Sequence, residues 1–358
     1  MPEASSRADV AIATSFQRTG SSGRSHHSAM RAACGLTKWC INSATLRKAM
    51  LPHRAEVVVL TDDAAFTHEE CAVASPRVLE FDTNLSSAIA SWVARNGRRR
   101  ASAADQRDLA NARFAAATLR KWQLVRLLEY RVVFATDPDV DVFFDGGSPL
   151  GSAALAQAWT RGHDDFVASR AQLLAAGDGQ IPVNTGVMLL KPSLHAYQIG
   201  LTALWDGRFS VARGWDDAGS PRELLRPGAV RTFEYTRMLK ENTWGVVCGN
   251  ADQGLFTYVF LARLDAYSPS RYCPLATKFT RGDCGKCPMP VWHFWAGDKP
   301  WWLHYTRCLR WFEFLGDRQA SNGVIRPTKC TAWLRRRWER AKALPSNWSC
   351  GGIQQCAF

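Results

Sequence analysis

The sequence predicts an α/β fold, a mainly parallel β-sheet flanked by helices. Short β-like runs alternate with helical stretches, and the chain opens as strand, helix, strand. Its 358 residues are 46% hydrophobic, enough for a large core in one domain of this class or two smaller ones.

The first β-like run is "DVAIATSF", residues 9 to 16. A turn-rich loop, "QRTGSSGRSHH", leads to a helical stretch from about Ser28 to Met50, and "EVVVLTDD", 56 to 63, supplies the second strand. Further β-like runs fall at 77–82, 131–136, 165–169, 187–191 and 291–294. Residues 84–111, with Gly97 and Arg98 to Arg100 near their centre, read as a surface insertion. The stretch "NARFAAATLRKWQLVRLLEY" reads as a helix. Its Phe114, Ala117, Leu124 and Leu128 are spaced as an inward stripe on which Lys121 also falls. Such a lysine either snorkels out to solvent or points at an anion beside the sheet. From Asp317 the chain turns Arg-, Trp- and Cys-rich without strand signals. The expected organisation is therefore a main domain over 8–316 and a C-terminal extension over 317–358.

The run "RVVFATDPDVDVFFDGG" drives an apolar strand into Asp137, Asp139, Asp141 and Asp145. Carboxylates crowded at a strand end repel one another unless solvent dilutes the charge or a cation is bound there. In open α/β sheets this is also where ligands gather, at the carboxyl ends of the strands.

The formal charge of +13 suits an anionic partner, although each arginine run read alone fits a solvated basic face equally well. No zinc-finger or RNA-recognition signature is present, so nucleic acid is not an expected partner. Seven of the eleven cysteines (Cys273, Cys284, Cys287, Cys308, Cys330, Cys350 and Cys356) lie in the last quarter of the chain. That clustering favours disulfides in a secretory lumen, while "CGKC" by itself is also half of a zinc site. The sequons at Asn84 and Asn347 fit a lumenal location. No apolar stretch is long enough to span a bilayer and the first residues lack a signal-peptide core, so a Golgi or secretory location requires an upstream membrane anchor. The alternative is the cytoplasm.

Five motifs in order resemble the glycogenin-like transferases of glycosyltransferase family 8. They are "AIATSF"; Arg113 and Lys121 ahead of "TDPDVDVFFD"; "NTGVMLLKPS"; "ADQGLF"; and "HFWAGDKPW". Arg113 stands one residue out of the family register, and Ala296 occupies the usual glycine position, with Gly297 beside it. The resemblance covers roughly residues 9–302. It implies a single Rossmann-like nucleotide-diphospho-sugar transferase domain of the GT-A type.

By the same resemblance the protein is a retaining hexosyltransferase that takes a UDP-sugar donor and a glycan, protein or small-molecule acceptor. Asp137, Asp139 and His293 would hold a divalent metal, and a mixed oxygen and imidazole set suits manganese. Thr14, Ser15 and Arg113 would contact the nucleotide, and Asn184, Thr185 and Gly186 would face the donor sugar. Gly297 and Lys299 would contact the diphosphate, and Asp252, Gln253 and Lys121 would serve the reaction. A catalytically silent binding protein on the same fold and a cytosolic self-glucosylating primer are the competing readings.

Overall fold

The computed structural model describes residues 8–17, 53–96, 110–138, 140–142, 162–175, 180–224, 236–269 and 291–293, with 35–37, 39–40, 43–44, 46–47, 50 and 177. Its strands are β1 (Val10–Phe16), β2 (Ala55–Thr61), β3 (Arg77–Glu80), β4 (Val132–Thr136), β5 (Val140–Val142) and β6 (Leu173–Ala175). They continue with β7 (Val187–Leu190), β8 (Phe209–Ser210), β9 (Gly214–Trp215), β10 (Tyr267–Pro269) and β11 (Val291–His293).

Seven of these strands form one sheet in the order β10-β6-β7-β4-β1-β2-β3. The pairs β1–β2, β2–β3, β1–β4 and β6–β10 are parallel, and β7 alone runs antiparallel to its neighbours β4 and β6. The expected α/β class with a mainly parallel, helix-flanked sheet is thus what the chain forms. The strands at its centre are apolar along their length because both faces are covered. Every residue of β4 is buried, and alternate residues of β1 serve opposite layers. Ala11 and Ala13 pack with Trp92, Trp122 and Trp215, whereas Val10 and Ile12 pack with Trp39, Val59 and Phe134.

Three sequence expectations are corrected. Residues 165–168 belong to a helical stretch, 162–168, that ends before Ser169, and the strand comes later, at β6. The run Phe166–Ala168 is too short to distinguish the two periods, and one buried Phe166 flanked by exposed Asp164 and Asp165 satisfies a helix. Thr83–Asn96, inside the expected surface insertion, is an α-helix that buries Leu85, Ala88, Ile89 and Trp92 in the main core. The helix Ala112–Leu119 gives way to a 3₁₀ segment, Arg120–Arg126, which shifts the expected inward stripe. Phe114 and Leu128 are each 48% exposed, Leu124 and Lys121 are buried as expected, and Ala115, Leu119, Trp122 and Val125 join them in pointing inward.

Cys40 and Cys71 form a disulfide, with 5.3 Å between their Cα atoms. It ties the helical segment within 35–47 to the end of the helix Ala64–Glu70. Among the described residues no helix is long and apolar enough to cross a membrane. The extension 317–358 and all seven C-terminal cysteines lie outside the described residues.

Candidate active site

The strand order reverses at β1, which has β2 on one side and β4 on the other, so a crevice opens at the carboxyl ends of β1 and β4. Asp137 follows β4 directly into that rim. Its backbone N–H donates to the Gly186 carbonyl at 2.9 Å, which fixes the end of β4 to the turn that opens β7. Behind it the Trp39 indole N–H donates to Thr136 Oγ1 at 2.6 Å.

Because β7 is antiparallel, its beginning reaches the same rim as the ends of the parallel strands. The turn there is held locally, with Asn184 Oδ1 accepting the Gly186 N–H at 2.8 Å. Asn184 and Thr185 are both buried. Thr185 Oγ1 donates to Asp252 Oδ2 at 2.6 Å, so β7 is joined to the first residue of the helix Asp252–Phe256. That helix seats closely because position 254 is glycine. A Cβ there would lie 1.8 Å from the Gly249 carbonyl oxygen and 2.9 Å from the Trp215 indole nitrogen.

Lys121 completes the cluster from the 3₁₀ segment. Its Nζ lies 2.6 Å from Asp137 Oδ1, 3.1 Å from Asp252 Oδ2 and 3.5 Å from Thr185 Oγ1. The neighbouring Trp122 anchors the segment on the other side. Its indole donates to the Tyr197 carbonyl at 3.1 Å, and its ring occupies space that a Cβ on Gly200 would enter at 2.2 Å.

Burial opposes the charge on Lys121, but Asp137, then Asp252, and the hydrogen bonds to both outweigh it. Its pKa therefore lies above the ordinary lysine range. Burial likewise pushes the Asp252 carboxyl up, while the Lys121 charge and hydrogen bonds from Thr185, Lys121 and the Gln253 backbone hold it below the usual value. Both groups are ionised at neutral pH.

Two of the three expected metal ligands sit beyond what is described as side chains. Asp139 lies outside the described residues, and His293 is placed by its backbone alone, in β11, opposite Val140 of β5. Asp141 takes a backbone place in the same ladder, opposite Trp292. That register brings His293, the last residue of β11, opposite the residue after Asp139. Asp137, the one expected ligand whose side chain is described, presents a 23% exposed carboxylate, and carboxylate with imidazole is by residue type a donor set for a divalent transition ion.

Thr14, near the end of β1, is fully buried, and its hydroxyl has no hydrogen-bond partner among the described residues. Ser15 beside it is half-buried, Gln253 is half-buried, and Arg113 is exposed in the first turn of Ala112–Leu119. Gly297 and Lys299 lie outside the described residues.

The expected residues Lys121, Asp137, Thr185 and Asp252 therefore meet at one point, with Asn184 and Gly186 bracing it. The positioning residues Trp122, Gly200 and Gly254 were not singled out in the sequence. Only the adjacency of Trp122 to Lys121 and of Gly254 to Asp252–Gln253 marks them.

No protein-family model and no curated protein matches the chain. Solved structures to which it is similar include the glycosyltransferase GlyE of Streptococcus pneumoniae TIGR4, at 11% identity and a TM-score of 0.37, covering 95% of this chain. The chain spans 65% of the length of GlyE. A galactosyltransferase LgtC, solved with donor and acceptor sugar analogues, is 14% identical over 94% of this chain and 98% of its own, with a TM-score of 0.40. Mouse xyloside xylosyltransferase 1 is 13% identical over 80% of this chain and 97% of its own, also with a TM-score of 0.40. Likeness of this size is not evidence of a shared substrate.

Proposed function

We propose that the chain is a metal-dependent, retaining hexosyltransferase that moves a sugar from a UDP-sugar to a glycan, protein or small-molecule acceptor. The observation that carries this reading is the buried Lys121 cluster with Asp137, Thr185 and Asp252 at the carboxyl ends of the strands, beside the point where the strand order reverses. A lysine held charged beside carboxylates is positioned to stabilise negative charge that develops on a departing diphosphate.

In this reading Asp137, Asp139 and His293 hold a divalent ion, manganese by its ligand set. Bound there, the ion neutralises charge on the donor phosphates. Lys121 and Lys299 flank the diphosphate, and Gly297 lets the backbone approach it. The Thr14 hydroxyl, which has no hydrogen-bond partner among the described residues, Ser15 and Arg113 serve the nucleotide. Asn184, Thr185 and Gly186 face the donor sugar, and Asp252 with Gln253 lies next to them, where its fixed negative charge orients Lys121 and Thr185. A Golgi or secretory setting belongs to the same proposal, and the Cys40–Cys71 disulfide supports it.

The test is UDP release from a panel of UDP-sugars in the presence and absence of manganese. Metal-dependent release is expected with at least one sugar, and it is lost in Asp139→Ala and in His293→Ala while circular dichroism stays unchanged. Tight donor binding without release by the parent chain overturns the transferase reading in favour of a binding protein. A hexose added to the chain itself, seen by intact mass, replaces the external acceptor with a self-glucosylating primer.

A further inference from the structure

At the other end of the sheet, three metal-ligating side chains from distant parts of the chain converge. His53 lies just before β2, and His163 and Asp164 open the helical stretch 162–168. Each supplies one ligand atom, and all three atoms lie within 4.8 Å of one another. β2 has seven residues, so the cluster lies about 20 Å from the carboxyl rim at strand rise.

The geometry points to a separate site for a divalent transition-metal ion of the zinc class, held by His53, His163 and Asp164. The two imidazole rings are 4.1 Å apart between centroids and tilted by 43°. Asp164 Oδ1 stands 2.9 Å from His163 Nδ1 and 3.5 Å from His53 Nε2. His163 is only 5% exposed, and its Nε2 and that of His53 are buried without a hydrogen-bond partner among the described residues. A buried ring nitrogen without a hydrogen bond is costly, and a metal ion satisfies it.

Two imidazoles and one carboxylate form a donor set suited to zinc and its neighbours in the transition series rather than to calcium or magnesium, which take oxygen ligands. Metal ligands at 2.0 to 2.2 Å from one ion stand roughly 3 to 4 Å apart, so small side-chain rotations close the present spacing. Asp164 is 60% exposed, which leaves the outer side open for solvent to complete the coordination. Bound there, the ion would clip the loop before β2 to the helical stretch before β6, independently of the donor site.

The experiment is zinc titration of the full chain, stripped of metal, against the variant His53→Gln/Asp164→Asn, scored by bound equivalents and by thermal shift. The parent is expected to bind one more equivalent than the variant, or to bind that equivalent at least tenfold more tightly, with a zinc-dependent rise in Tm that the variant lacks. Cobalt(II) separates this site from cysteine sites elsewhere in the chain. The absorption lost in the variant should be the d–d bands, with any thiolate-to-cobalt charge transfer retained. If the double variant does not fold, Asp164→Asn alone, at an exposed position, carries the same comparison. Equal stoichiometry and affinity in parent and variant overturn the site, as does a cobalt spectrum that the variant leaves unchanged.

Discussion

Lys121 and Asp252 form a buried ion pair, 3.1 Å between Nζ and Oδ2, that joins a 3₁₀ segment to the start of a helix from much later in the chain. Replacing Lys121 by Met leaves the Asp252 carboxylate buried without its cation. We expect a loss of about 3 to 5 kcal/mol in urea unfolding. Adding Asp252→Asn should recover much of it, since the second change removes the stranded charge. UDP release by Lys121→Met should fall on the order of a hundredfold, as for one preorganised charge-stabilising donor.

The pH dependence of that loss has a defined sign. The folded pKa of Lys121 is raised, so its contribution is fully present below an unfolded value of about 10.4 and is lost as pH rises through the folded one. That of Asp252 is lowered, so its contribution is present above about 3.9 and is lost as pH falls through the folded value. The parent's advantage over Lys121→Met should narrow as pH falls from about 9 to about 4, because burial unopposed by the lysine raises the variant's Asp252 and lets it take up a proton first. Urea midpoints of both proteins across that range check it. An advantage that grows on acidification contradicts the pairing.

Thr185→Val keeps the side-chain volume and removes the hydroxyl that donates to Asp252 at 2.6 Å. Hydrogen bonds to charged groups contribute about 1.5 to 3 kcal/mol, and a stability loss of that size is expected by denaturant titration. Thr185→Ser keeps the donor and should lose less than Thr185→Val.

Gly200→Ala presses a methyl against the Trp122 ring, where the contact would be 2.2 Å, and so disturbs the segment that carries Lys121. Overpacking of this kind costs about 1 to 3 kcal/mol. Unlike an exposed glycine-to-alanine change in a helix, which stabilises, this one should lower Tm. Trp122→Leu in the same chain should make the alanine better tolerated.

The Cys40–Cys71 bridge closes a sequence separation of 31 residues. Replacing both cysteines by serine should lower stability by about 2 to 4 kcal/mol, and the variant should show a smaller loss than the parent when reductant is added. Mass mapping of the unreduced protein locates the bridge directly.

Much of the fold was legible because the central strands announce themselves. "AIATSF", "EVVVLTDD" and "RVVFAT" are apolar runs of strand length, and all three form the sheet's middle. The short strands β5, β6 and β10, of three residues each, carry too few positions to show a period. The stripe was met at Lys121 and Leu124 and missed at its two ends: Phe114 lies in the exposed first turn of Ala112–Leu119, and Leu128 comes after the 3₁₀ segment Arg120–Arg126, whose three-residue turn rotates later side chains away from the face a 3.6-residue turn assigns. Lys121 was recognisable as a residue on a covered face, yet its burial comes from two carboxylates rather than from that stripe. The His53, His163 and Asp164 cluster left no sequence signal, since His53 is far in the chain from the adjacent His163 and Asp164, and that pair directly precedes a run read as a strand.

Of the sheet strands, β1 is synthesised first, yet its two neighbours begin at Ala55 and at Val132. At about 5 to 20 residues per second, the edge of β1 that faces β4 waits on the order of ten seconds for its partner on the ribosome. Throughout that interval an apolar strand destined for the middle of the sheet stands as an open edge, able to pair with another nascent chain. Slower elongation between residues 61 and 132 would lengthen the exposure, and a holdase that covers β1 during it would raise the yield of soluble protein.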